Sequence, residues 1–258
     1  MWMDSDTVLY VVADAQSDGD SVVRSLVGPS GTLLSGTTID VAAPKRFVLG
    51  GAPQRGITFG NVLSDETNTP FTVAAAIEFG NGPPVGRDFE EVPILSKFDL
   101  GAGVADYIGF ELYAQTGVGG EQHPCVGFIA NMKFTTGVWT NYDSSNPLLP
   151  GFDPMVLISL PPGRYTVGFS YDWNRPRGSR TRWYFQGRPI ASSDVTETFY
   201  GTESRPVVTT APFQFSGDFG LTGTAAPEGG KACVFAQGIK DDAWHAAFHT
   251  EMVALGWK

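Results

Sequence analysis

Short runs of alternating apolar and polar residues, broken by Gly and Pro, recur along most of the chain. From Thr72 to Phe79, Val73, Ala75, Ile77 and Phe79 fall on one face, and Thr72, Ala74, Ala76 and Glu78 on the other. From Tyr165 to Asp172, Tyr165, Val167, Phe169 and Tyr171 oppose Thr166, Gly168, Ser170 and Asp172. A period of two is that of a β-strand. The same pattern predicts strands at Val8–Ala13, Gly56–Phe59, Tyr107–Tyr113, Val126–Met132, Thr181–Gln186, around Phe213 and Phe215, and at Lys231–Gln237. Antiparallel strands of this kind are expected to bury one face and wet the other. About a dozen of them need two packed sheets to hide their apolar faces. Only the C-terminus has helical spacing, with Trp244, Ala247, Phe248, Met252 and Leu255. Asp241 and Asp242 suit its start, Gly256 suits its stop, and the helix is expected on the sandwich edge.

Composition agrees with many turns between short strands. The 258 residues include 32 Gly and 18 Pro without a period, so a collagen-like chain is excluded. No internal repeat or long linker interrupts them, and Gly80–Val85 is too short to divide domains. One domain over 1–258 is expected, with 1–55 as an N-terminal strand and extension and 56–258 as the core. The net charge of −10 argues against a nucleic-acid surface. No run approaches the ~20 apolar residues of a membrane span. The acidic start, Met1 to Asp6, lacks the order of a signal peptide. The expectation is a soluble protein of the host cytosol or of a virus particle assembled there. Cys125 and Cys233 are expected to be reduced and buried, and His123 and Cys125 lack the second pair a structural zinc would need.

The order of segments resembles the concanavalin A-like, laminin-G-like jelly-roll superfamily. The resemblance rests on Gly56–Asn61 (GITFGN), Pro70–Ile77 (PFTVAAAI), Ile94–Lys97 (ILSK) and Tyr107–Leu112 (YIGFEL). It is strengthened by Gly163–Asp172 (GRYTVGFSYD), Arg182–Ile190 (RWYFQGRPI) and Cys233–Ala243 (CVFAQGIKDDA). Two positions depart from the family pattern: no Trp follows Ala76, and Gln186 precedes Gly187 where Asp or Asn is usual. The resemblance implies an all-β, two-sheet antiparallel jelly-roll sandwich with a short C-terminal helix.

Sugar-cleaving members of that superfamily carry carboxylates alternating on one strand, so that they converge in a cleft. No such set is present. Asp88-Phe-Glu-Glu91 reads as a solvated loop beside a Pro-rich turn. No nucleophile elbow, phosphate loop or zinc-protease motif occurs. His245 and His249, four apart, read as a surface pair. Several relatives hold calcium through loop oxygens, which leaves calcium open at Asp143, Asp172 and Asn174. Glycan recognition would use aromatic side chains beside Asn, Asp or Arg. Two segments read as loops offer them: Trp139, Tyr142 and Asp143 in one, and Trp173, Asn174 and Arg175 in the other, where core or rim packing of the two Trp residues is the competing reading. Arg175, Arg177, Arg180 and Arg182 gather around one hairpin, whose partner would be solvent or an acidic neighbour.

These features point to a non-enzymatic structural or attachment protein of a virus particle, phage-encoded: a spike, fibre or capsid decoration. Such proteins are often symmetric oligomers, with other virion subunits, further copies of the chain and surface glycans as the partners expected. Two further readings stay open: a free-standing carbohydrate-binding lectin module, and a glycoside hydrolase or lyase with an unfamiliar site.

Overall fold

The computed structural model describes residues 2–49, 55–63, 69–80, 91–99, 108–115, 127–133, 139–144, 162–176, 179–190, 192–193, 209–216 and 227–258. Strands β1 (Thr7–Val12), β2 (Val22–Val23), β3 (Gly31–Leu33), β4 (Thr38–Asp40), β5 (Arg46–Val48) and β6 (Gly56–Thr58) come first. Then follow β7 (Phe71–Phe79), β8 (Glu91–Asp99), β9 (Ile108–Gln115), β10 (Gly127–Lys133), β11 (Trp139–Ser144) and β12 (Gly163–Tyr171). Strands β13 (Thr181–Phe185), β14 (Arg188–Ile190), β15 (Ser192–Ser193), β16 (Phe213–Ser216) and β17 (Gly229–Gln237) precede the helix α1 (Asp242–Ala254).

Among the described residues the strands form two antiparallel sheets. The eight-stranded sheet runs β14-β13-β12-β7-β17-β5-β4, with β1 also paired to β17. The nine-stranded sheet runs β15-β11-β10-β9-β8-β16-β6-β3-β2. Residues 7–48 therefore supply strands to both sheets. The jumps in order mean that neighbouring strands are often distant in sequence, as in a Greek-key sandwich.

The alternation that predicts each strand also decides what each face buries. Val73, Ala75, Ile77, Val167, Phe169, Tyr171, Trp183, Cys233 and Phe235 point from the eight-stranded sheet into the inter-sheet core. Ile57, Ile94, Leu95, Leu112, Phe213 and Phe215 meet them from the nine-stranded sheet. Aromatic contacts cross the layer: the Phe235 ring lies 6.2 Å from Phe213, and Phe47 lies 6.3 Å from Phe215. Offset and edge-on ring pairs of this kind add to the gain from burial alone.

The opposite face of the eight-stranded sheet is not wet, contrary to the one-face expectation. Tyr10, Val12, Ala74, Ala76, Ala232, Val234 and Ala236 form a second apolar layer with Trp244, Phe248, Met252 and Trp257. Helix α1 therefore covers a sheet face and not an edge. Small side chains on β7 and β17 let it approach. Its start is capped by Asp241, whose Oδ1 accepts from Trp244 N at 2.9 Å. Its end closes with Gly256 N donating to Val253 O and Trp257 N to Met252 O, which turns Trp257 back into the layer. Gly256, at φ 83°, supplies the left-handed residue this stop requires.

Buried polar groups hold the sheets in register. Lys97, fully buried, donates to Ala211 O at 2.7 Å and Asn61 Oδ1 at 3.2 Å. Lys231 sits at the β17 bulge, donates to Lys45 O and pairs with Asp14. Cys233 is buried and free, and burial pushes its thiol pKa up. Cys125, the Asp88–Glu90 part of the acidic segment and His123 lie outside the described residues. Among the described residues, no helix is long and apolar enough to cross a membrane.

Two outcomes follow. Met252→Ala empties the centre of the helix layer and should cost about 2–5 kcal/mol in urea unfolding. Cys233 should resist alkylation in the native protein and react once the chain unfolds, as mass mapping of the labelled thiol would show.

Candidate functional site

The loop after β12 carries the second predicted segment. Its turn is built around Asp172. Asp172 N donates to Arg180 O at 2.9 Å and closes the base of the loop. Its Oδ1 accepts from Asn174 N at 3.0 Å, and its Oδ2 pairs with Arg175 Nε at 3.1 Å. Arg175 N returns to Asp172 O at 3.2 Å. An Asp that accepts from a backbone amide two residues on is the usual way such a turn is held. Arg180 Nε then donates to Arg175 O at 3.0 Å, and Ser179 N to Pro176 O. The loop is thus cross-braced over a β scaffold.

On this frame Trp173 is half-buried. It packs against the inter-sheet core, with its ring 6.2 Å from Tyr171. Packing at the rim, the competing reading for this residue, therefore holds for part of its surface. Asn174 is exposed and Arg175 is partly exposed beside it. The three predicted residues are brought together. Both carboxylate oxygens of Asp172 are engaged by the loop itself. Among the described residues no group of three His, Cys, Asp or Glu could hold a metal ion.

The first predicted segment is not a loop. Trp139, Tyr142 and Asp143 lie on strand β11, opposite Lys133, Ala130 and Ile129 of β10. Apolar and polar residues mix there without clean alternation, so the strand was missed. β11 belongs to the nine-stranded sheet, whereas Trp173–Arg175 hangs from the eight-stranded one. The two segments are linked through β15, where Ser193 and Ser192 pair with Asp143 and Ser144 just after β14.

The histidines also differ from expectation. His245 is 2% exposed, and its ring stacks on Tyr184 at 3.5 Å. Its imidazole passes so close over Gly168 that an added Cβ would lie 2.5 Å from Nδ1. Nε2 has no hydrogen-bond partner. Burial pushes the His245 pKa down to about 3, so the ring is neutral. His249 is half-buried, with Nδ1 2.9 Å from Thr166 Oγ1. Thr166 Oγ1 also lies 3.3 Å from Gln186 Oε1, which accepts from Thr166 N at 3.0 Å. A hydroxyl has one proton. If it goes to Gln186, His249 is the donor at Nδ1. Burial and the Arg188 charge lower the His249 pKa. The Tyr184 hydroxyl donates to Asp242 Oδ1 at 2.9 Å, and burial with this bond pushes its pKa up to about 12. The crevice around His245, lined by Thr166, Gly168, Tyr184, Gly187 and Phe248, is closed to a water-sized guest. The pair fastens the helix; it is not a surface feature.

Several carboxylates of the described residues are engaged in ion pairs. Glu78 pairs with Arg46 and with Arg164, whose guanidinium lies 4.9 Å over the Trp257 ring. Asp4 and Asp6 both meet Lys240, at 2.9 and 2.8 Å.

No protein-family model and no curated protein matches the chain. Solved structures do share its fold. Trypanosoma rangeli sialidase matches with a TM-score of 0.57 at 14% identity, over 99% of this chain and 34% of the sialidase. The receptor-binding domain of botulinum neurotoxin type G matches with a TM-score of 0.57 at 9% identity, over 96% of this chain and 52% of that one. A botulinum neurotoxin type C structure reaches a TM-score of 0.60 at 8% identity, over 96% and 51%. The chain thus spans about a third of the sialidase and half of the neurotoxin chains. At these identities the likeness establishes the fold: an all-β sandwich of two antiparallel sheets with one short C-terminal helix.

The buried neutral imidazole sets a pH dependence. Unfolding frees His245 to take up a proton below its ordinary pKa of about 6.5. Its contribution is therefore complete above about pH 6.5 and is lost as pH falls towards 3. The slope should approach about 1.4 kcal/mol per pH unit. Urea unfolding of the native protein and of His245→Phe, compared between pH 7 and 4.5, should show a steeper loss of stability in the native protein, by up to that slope, with His249 contributing to both.

Proposed function

We propose that the protein is a non-catalytic carbohydrate-binding module on a concanavalin A-like, laminin-G-like sandwich, with the Trp173–Asn174–Arg175 loop as its sugar contact. The observation that carries this is the braced loop itself. It carries a half-buried aromatic residue, an exposed amide and a partly exposed guanidinium at consecutive positions, on a turn that Asp172 braces. An apolar ring covers the C–H face of a sugar, while amide and guanidinium groups hydrogen-bond its hydroxyls. Binding loops on a rigid β scaffold lose little entropy on association.

The fold likeness supports the same reading. The sialidase has been solved with sialic acid. The type C neurotoxin enters cells through interaction with two ganglioside molecules. A non-catalytic role is supported by the carboxylates above, each held in a structural ion pair or turn, and by the absence of an alternating acidic strand in the sequence.

A virion spike, fibre or decoration would use such a module for attachment to host glycans. Co-sedimentation of the purified protein with virus particles tests it separately from sugar binding.

On a glycan array the protein should bind a defined subset of glycans, and Trp173→Ala should weaken that binding about tenfold or more. The variant should keep its circular dichroism spectrum. Full affinity in Trp173→Ala would move the contact off this loop, and a protein silent on the array and on host cells would end the reading. No polysaccharide in a turnover panel should be cleaved.

A further inference from the structure

We propose that the β12–β13 loop is selective for acidic saccharides, taking a ligand carboxylate on Arg175 while Trp173 covers the adjoining sugar face. This rests on the carbohydrate-binding reading and narrows it to one ligand class.

Charge is the first observation. Residues 172–182 hold four arginines, Arg175, Arg177, Arg180 and Arg182, and a single acid, Asp172. The segment therefore carries a local charge of +3 in a chain of net charge −10. An anionic ligand is repelled by the protein as a whole and attracted at this tip, so the field favours binding there over elsewhere.

The second observation is how Arg175 is held. Its Nε is committed to Asp172 Oδ2, at 3.1 Å, and its side chain is 39% exposed. Its two terminal amino groups have no partner among the described residues. The internal ion pair orients the guanidinium and, among the described residues, leaves open the edge formed by those two groups. Two parallel N–H donors on a rigid fork match the two oxygens of a carboxylate. A neutral hydroxyl can use only part of that geometry.

Third, the neighbours cooperate. Arg180 is drawn against the same turn by its bond to the Arg175 carbonyl, which brings a second guanidinium to it. Arg182 is exposed on β13. Trp173 precedes Arg175 by two residues, and its ring is seated on Tyr171 and the core. Flat apolar surface and fixed charge therefore sit side by side, as a charged sugar requires. An acidic protein face would meet the charge but would make no particular use of the ring.

The test is a set of matched affinity titrations by calorimetry: sialyllactose against lactose, and an oligogalacturonate against its carboxyl-reduced form. The carboxylated member of each pair should bind about tenfold tighter or better, consistent with a charged hydrogen-bond pair. That preference should shrink as NaCl rises from about 0.05 to about 0.5 M. Arg175→Gln should remove the preference. Arg24→Gln, an exposed change of equal charge far along the chain, should keep it. Trp173→Ala should weaken both members of each pair.

Equal binding of the paired sugars, or a preference that survives Arg175→Gln, would overturn the proposal while leaving the carbohydrate reading intact. Absence of binding to every sugar would overturn both. Binding of poly-glutamate as strong as that of the acidic sugars and unchanged in Trp173→Ala would assign the tip to an acidic protein and also overturn the proposal.

Discussion

Helix α1 can settle on the eight-stranded sheet only because the strands beneath it present small side chains. Ala74 and Ala76 on β7, Gly168 on β12, and Ala232 and Ala236 on β17 leave a shallow trough. Trp244, His245, Phe248 and Met252 fill it. The same strands carry Val73, Ile77, Phe169 and Phe235 on their other face, where the second sheet needs bulk. Both faces of the central strands are therefore dry, and neither layer can be loosened without disturbing the other. Interiors packed at crystal-like density transmit such changes directly. His245 shows how tight the fit is: the ring has no hydrogen bond at Nε2, yet it is held by stacking and by the absence of a Cβ on Gly168.

Much of this could be read from the chain. Strict alternation located β7, β12, β13 and β17, because half-buried and doubly buried strands share a period of two. The cap at Asp241 and the stop at Gly256 located the helix. What the period does not reveal is the number of covered faces. Ala at 74, 76, 232 and 236 is neither bulky enough to signal a core nor polar enough to signal water, so the helix was expected at an edge. The same gap misplaced His245 and His249. Helical spacing put them on one face, but only the trough beneath decides that this face is inside. The short strands β2 to β5 escaped because two or three residues cannot display a period. β11 escaped because Trp139, Tyr142 and Asp143 alternate in no hydrophobic sense.

The candidate site was legible to a similar degree. Trp173, Asn174 and Arg175 follow a strongly periodic strand, so their position at its end could be inferred. That Asp172 braces the turn depends on distances no sequence pattern encodes. The division of labour is simple: sandwich and helix supply rigidity, and one aspartate converts a flexible basic tip into a fixed array. The sheet face that might otherwise have served as a binding surface is closed by α1.

The pairing of β1 with β17 has a different kind of consequence. Thr7 to Val12 lie against Ala236 to Ala232, and the Tyr10 hydroxyl donates to Glu251 across 241 residues of sequence. Trp2 adds its ring to Trp244 and Phe248. During synthesis β1 therefore emerges long before β17 exists, and the edge that β17 covers must wait while the residues between them are made. Contacts this distant in sequence slow folding and prolong the life of exposed strand edges. The β1–β17 pairing is thus a clasp between segments distant in sequence, whose closure cannot precede the synthesis of both.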